Sequence, residues 1–437
     1  MKAKLQPLYF KSGMDDEFKS HLDMIREFLK DEASIIEPLE LGKPVKDADA
    51  IIFPQLIGDA FKQVDLLKKI KLPFLVTTSD FGGVNMWDWE IVTFLKAEGL
   101  KVFAPYNLDL TKKICKSLAL KREMKKTKFL VFQDNPGVGM QAEIFKRFYW
   151  WEERCEKSIK EKFGISIVKK SFKELSEKAK KISDSLVAEV ANHKKIPKEG
   201  VSDNALLSAY KIYLALKEEV EKDPHIKGAG INCLNESFYS DTTPCLAWNL
   251  LYEEKDLVWA CEADTMSLMT MYLIHKSIGA NIIMSNIYPF LMDMAALKHE
   301  KIDKLPEVTE PENHLLVVHC GYFGLIPKCM ATEWTFRKKV LAIVDENATV
   351  IDAKLPTGNV VITKLHPKLD KLMVAQGILE NYVQYPGSDC RNGAVIKVKD
   401  GYRLMDLFYS HHNCIVVGDK SEDLKYMAKV FDLDIIS

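Results

Sequence analysis

The chain has 437 residues, too many for one hydrophobic core, so two or three domains are expected. Apolar residues make up 47% and charged residues 28%, with a formal net charge of −1 and no basic block or acidic tail. That balance gives no footing for a nucleic-acid partner.

Nine cysteines are scattered without a C-x-x-C pair and read as reduced thiols. The opening "MKAKLQPLYFKSGMDDEF" holds no apolar core long enough for a signal peptide. The most apolar region, around 265–297, is broken by His275, Lys276 and Asn281 before it reaches membrane-spanning length. A cytoplasmic protein with no membrane partner is the expectation.

Short β-rich runs at "DADAIIFPQL" (47–56) and "LPFLVTTSD" (72–80) end at polar or turn residues. A helical spacing over "MWDWEIVTFLKAEG" (86–99) stops at Gly99, and "KVFAPY" (101–106) follows as a strand. Such β-α-β units predict a parallel sheet covered by helices. A second unit begins at residue 126. Its strand leads to a glycine-containing turn and a long amphipathic helix ending at Gly164, then to a Lys-rich helical stretch (169–195) and a helix around 203–222. Strands are predicted in "IKGAGINCLNE" (226–236) and "LVWACEADT" (257–265), and a buried helix over 266–280. After residue 305 the runs 314–324, 338–354 and 358–366 alternate and turn quickly, which predicts antiparallel β structure and a small barrel. The last segment returns to strand, turn and helix. The expected domains are 1–125, 126–305 and 306–437.

The turn Gly137-x-Gly139-x-x-Ala142 fits a permissive dinucleotide fingerprint. Lys169 and Lys170 stand where a ribose-binding acid is wanted, so a tight turn explains the glycines and no nucleotide cofactor is expected. Asp264 precedes an apolar helix, where Asp is a favoured cap. Glu236 follows an apolar strand, and the C-terminal edge of a parallel sheet is where such folds bind ligands. Two carboxylates at one sheet edge repel unless a cation or a shared proton joins them, and a hard cation such as Mn²⁺ or Mg²⁺ suits them. Only one of His411 and His412 can face a given site from a strand. His319 and His366 are further candidates. Trp87 and Trp89, in a loop after Asp80, are placed to stack on a sugar ring or to pack in a core or interface.

The run "TPCLAWNLLYEEKDLVWACEADTMSLMTMYLI" (243–274) resembles the L-fucose/L-arabinose isomerase-like superfamily, with its turn Cys261, Glu262, Ala263 and Asp264. "HH" followed by a strand and "GD" (His411 to Asp419), "HCGYFG" and "LHPKLDKLMVAQG" are similar to the family's C-terminal domain. The resemblance implies two Rossmann-like parallel-sheet α/β domains followed by a β-barrel-like domain. It also implies aldose–ketose isomerisation through an enediol or enediolate. On it, Glu236, Asp264 and His412 fall on the ligands of a divalent cation, Mn²⁺ foremost with Mg²⁺ or Co²⁺ as alternatives. Glu236 and Asp264 are then the proton-transfer carboxylates, and Trp87, Trp89, His319 and His411 are substrate-binding candidates. A homo-oligomer, trimer or hexamer, is implied as well. A non-catalytic sugar-binding or regulatory protein, or an epimerase or isomerase of a modified sugar, are the competing expectations.

Overall fold

Runs of branched and aromatic residues alternate with amphipathic helices to build two compact units. The computed structural model describes residues 1–10, 13–55, 57–136, 138, 143–149, 151–297, 307–323, 325–384 and 392–437. One unit comprises residues 1–125 with 276–279 and 422–432, and the other comprises 126–275, 280–421 and 433–437. No helix among the described residues is long and apolar enough to cross a membrane.

The first unit holds strands β1 (Ala3–Tyr9), β2 (Ala33–Ile35), β3 (Leu39–Glu40), β4 (Ala50–Phe53), β5 (Phe74–Val76) and β6 (Val102–Phe103). They pair in parallel in the order β2-β1-β4-β5-β6, with β3 also on β1. The helix Asp16–Phe28 buries Phe18, Leu22 and Ile25, one apolar stripe, and Asp15 caps it by accepting from Phe18 N. Ile51, Phe53, Phe74 and Val76 form the core on one face of the sheet with Leu67, Val92 and Leu95. Trp87 and Trp89 open the helical stretch after the Asp80 loop and are 74% and 61% exposed, so neither packs in this unit's core.

The second unit starts with another parallel sheet. Its strands are β7 (Lys128–Phe132) and β8 (Ser166–Lys170), then, past the two-residue β9 (Lys198–Glu199), β10 (Ile226–Ile231) and β11 (Val258–Cys261). The order is β11-β10-β7-β8. The expected long helix before Gly164 is two helices, Phe145–Phe148 and Glu153–Phe163, the second ended by Gly164 at φ 81°. The Lys-rich stretch is likewise two helices, Phe172–Lys180 and Asp184–Lys194, begun by the caps Ser171 and Ser183. The turn Gly137-x-Gly139-x-x-Ala142 lies outside the described residues. Glu236, expected behind a strand, sits in the first turn of a helix, Cys233–Ser240.

The rest of this unit is antiparallel. Strands β12 (Ile282–Pro289) and β13 (His314–Val318) precede the hairpin β14 (Glu333–Lys338) and β15 (Thr349–Lys354), to which β9 adds. Strands β16 (Gly358–Leu365), β17 (Lys371–Val383), β18 (Gly393–Val398) and β19 (His412–Val417) follow. Pairing runs β16-β19-β12-β13-β18-β17 and returns from β17 to β16, so six antiparallel strands close a barrel. A short parallel β20 (Asp434–Ile436) adds to β17. The barrel takes its first strand from Ile282, upstream of the expected start at 306. Closure sets one register that matters below: Asn286 on β12 faces His412 on β19 and Val318 on β13.

Candidate metal centre

Strand β11 ends in a turn that reverses within three residues. Glu262 and Ala263 both adopt left-handed backbone, at φ 54° and 55°, a strained pair for residues with side chains. Neighbours hold it there. Trp151 Nε1 donates to the Ala263 carbonyl at 2.8 Å, and Thr265 N donates to the Tyr149 carbonyl at 3.1 Å. Gly230 on β10 makes room, since a Cβ there would stand 3.1 Å from Ala263 Cα.

Asp264 then starts the helix Thr265–Ile278. Its Oδ1 accepts from Ser267 N at 2.8 Å, the capping role expected of Asp at this position. Its Oδ2 accepts from Ser267 Oγ at 2.6 Å and Lys364 Nζ at 3.2 Å, and lies 3.0 Å from His412 Nδ1. Burial alone would raise this carboxyl, but the Lys364 ammonium and His412 outweigh it and hold Asp264 well below the usual carboxylate range. Lys364, on barrel strand β16, is 2% exposed and also donates to Ser267 Oγ.

His412 is wholly buried, and its Nδ1–H donates to Asp264. That bond fixes the tautomer and leaves the Nε2 lone pair without a hydrogen-bond partner, 3.7 Å from Glu262 Oε1. His319, just past β13, repeats the arrangement. Its Nδ1 faces Asn286 Oδ1 at 3.1 Å, and its buried Nε2 has no hydrogen-bond partner. Burial, with His412 and His411 beside it, pushes the His319 pKa down to about 3, so the ring stays neutral. Glu262 Oε2 accepts from the Tyr149 hydroxyl at 3.1 Å. Burial and the nearby carboxylates push that phenol well up, and it remains a donor.

Glu262, His319 and His412 each offer a ligand atom, all within 4.8 Å of one another. A buried, unpartnered imidazole nitrogen costs free energy, and two of them beside a carboxylate fit a divalent cation. Apolar and thiol side chains, among them Cys261, Cys320 and Leu341, line a cavity of about 20 Å³ beside Glu262, a shell that strengthens electrostatics in the site.

Of the expected ligands Glu236, Asp264 and His412, only His412 offers an atom to the cluster with Glu262 and His319. Asp264 stands behind His412 as its orienting carboxylate. Glu236 reaches from the first turn of the helix Cys233–Ser240 toward the residues after β7, where its Oε1 accepts from Asp134 N at 3.0 Å and Asn135 N at 2.7 Å, and it also accepts from Asn232 Nδ2 at 3.0 Å. Burial raises its pKa in spite of those N–H groups. Expected among substrate contacts, His319 falls in the triad instead, while His411 is exposed beside His412 with the ring centroids 4.5 Å apart. His366 closes its own turn against Asp370. Trp87 and Trp89 belong to the other unit. Sequence reading passed over Glu262 as a ligand, and Lys364 and Tyr149 altogether. The one signal for Glu262 was its place between the carboxylate and the thiol of the 261–264 turn.

No protein-family model matches the chain, and no curated protein matches it.

Proposed function

We propose a metal-dependent aldose–ketose isomerase on two Rossmann-like sheets and a barrel, working in the cytoplasm as a homo-oligomer. The carrying observation is the pair of buried, unpartnered imidazole nitrogens facing one carboxylate. Glu262, His319 and His412 would hold the cation. Two imidazoles and one carboxylate suit Mn²⁺ better than Mg²⁺, with Co²⁺ an alternative. The sheet orders, each with its first strand inside and a crossover on either side, support the Rossmann-like reading.

The bound cation supplies Lewis-acid stabilisation of negative charge developing on sugar oxygens. Asp264 fixes the His412 ring through Nδ1, and Lys364 balances the Asp264 charge. With its acceptors filled and its pKa held low, Asp264 is a poor proton carrier. Glu236 is the better one, because burial raises its pKa toward the working range. It would move the proton between C1 and C2 of the sugar.

The test is to strip the protein with chelator, restore Mn²⁺ and follow interconversion across a panel of aldoses and ketoses, with Glu262→Gln as control. Turnover that returns with Mn²⁺ and is lost in the variant supports the reading. A stripped protein that takes up no Mn²⁺ and turns over no sugar sinks it.

A further inference from the structure

We infer that Tyr149 is a positioning residue of the metal centre, holding a carboxylate ligand with its hydroxyl and an imidazole ligand with its ring. The inference rests on the metal reading proposed above. Tyr149 directly follows the helical turn Phe145–Phe148 and is 1% exposed. Its ring lies parallel to that of His412, with centroids 5.1 Å and planes 7° apart. Its hydroxyl donates to Glu262 Oε2 at 3.1 Å, while Glu262 Oε1 lies 3.7 Å from His412 Nε2. One residue thus touches both ligands, Glu262 through its hydroxyl and His412 through its ring.

The backbone around it grips the same turn. The Tyr149 carbonyl accepts from Thr265 N, and Trp151 Nε1 donates to the Ala263 carbonyl. The strained pair Glu262–Ala263 is therefore bracketed from one loop. A carboxylate on a flexible stem loses rotamer freedom when it binds a cation, and a ligand already fixed by a hydrogen bond loses less. Outer partners of this kind are worth roughly 10–100-fold in metal affinity. Phenylalanine would keep the stack on His412 and lose the bond to Glu262, which separates the two contributions.

The experiment is calorimetric titration of stripped protein with Mn²⁺ alone, for wild type, Tyr149→Phe, Glu262→Gln and the double variant. Tyr149→Phe is expected to weaken Mn²⁺ binding by on the order of tenfold while the stripped variant keeps its thermal midpoint. In the Glu262→Gln background the same change is expected to have no further effect, because the contact it removes acts through Glu262. Equal affinity of wild type and Tyr149→Phe overturns the inference. So does an equal loss in both backgrounds, which marks a packing role. Should Tyr149→Phe fold poorly, the electron paramagnetic resonance linewidth of Mn²⁺ bound to protein with 4-fluorophenylalanine at residue 149, which keeps the ring and cannot donate, decides instead, a line unchanged from wild type overturning the inference. A wild type that binds no Mn²⁺ overturns the metal reading itself, a separate and recognisable result.

Discussion

Asp264 Oδ2 meets His412 Nδ1 at 3.0 Å, with both side chains closed to solvent, and the same oxygen accepts from Lys364 Nζ. One carboxylate thereby caps a helix, orients an imidazole and neutralises a buried ammonium. Removing its charge strands the ammonium. Asp264→Asn is expected to cost about 3–5 kcal/mol in urea unfolding, the range for breaking a buried pair. Adding Lys364→Met should return most of that loss. A cost below about 1 kcal/mol for the single variant, the range of exposed pairs, would show that solvent reaches the pair.

Glu262 and Glu236 are expected to separate metal binding from chemistry. Glu262→Gln, His319→Gln and His412→Gln should each lower Mn²⁺ affinity by more than about tenfold. Glu236→Gln should retain the cation and lose turnover by about 10²–10⁴-fold, the usual contribution of a proton-transfer group. Titration calorimetry beside a sugar interconversion assay reads both. If Glu236→Gln loses the cation as Glu262→Gln does, Glu236 joins the ligand set.

Gly230 supports the site from beneath. A Cβ there would press on the backbone of Ala263, and a main-chain atom in a strained turn has little room to give. Gly230→Ala is expected to cost about 1–3 kcal/mol and to weaken Mn²⁺ binding by displacing Glu262. Unchanged unfolding together with unchanged affinity would mean that the turn relaxes freely.

The strands richest in branched residues could be read directly, because "AIIF", "FLV" and "KFLVF" have little else to become. Strand β1 was not, since Gln6 and Pro7 interrupt its pattern and proline argues against an inner strand. In the site, strand alternation limited the choice to one of His411 and His412, and only the family resemblance preferred His412. Glu262 was not legible, because only the two left-handed residues at 262 and 263 decide which member of the turn faces the imidazoles. His319 reaches the triad through closure of the barrel, a long-range event that leaves no local mark.

Glu219, on the helix Asp203–Glu221, binds Lys170 at the end of β8, Lys178 on the helix Phe172–Lys180 and Lys222 at the end of its own helix. Burial opposes its ionisation, but the three ammonium groups prevail and lower its pKa from 4.5 to about 2. A carboxyl depressed in the folded state stabilises it above the unfolded pKa, and that stability is lost as pH falls through the window from 4.5 toward 2. Urea midpoints should therefore decline across that window more steeply in wild type than in Glu219→Gln. Parallel declines would show that the lysines contribute nothing net.

Asp264 and His412 lie 148 residues apart in the chain, and His412 belongs to the last strand to join the closed barrel. During synthesis, then, the carboxylate turn emerges long before its imidazole. A ribosome-bound or truncated chain that ends between residues 365 and 411 carries Lys364 and Asp264 but not the His412 ring that Asp264 orients. On the metal reading proposed above, cation uptake would begin only once β19 has been made, which guards shorter chains against taking up metal prematurely.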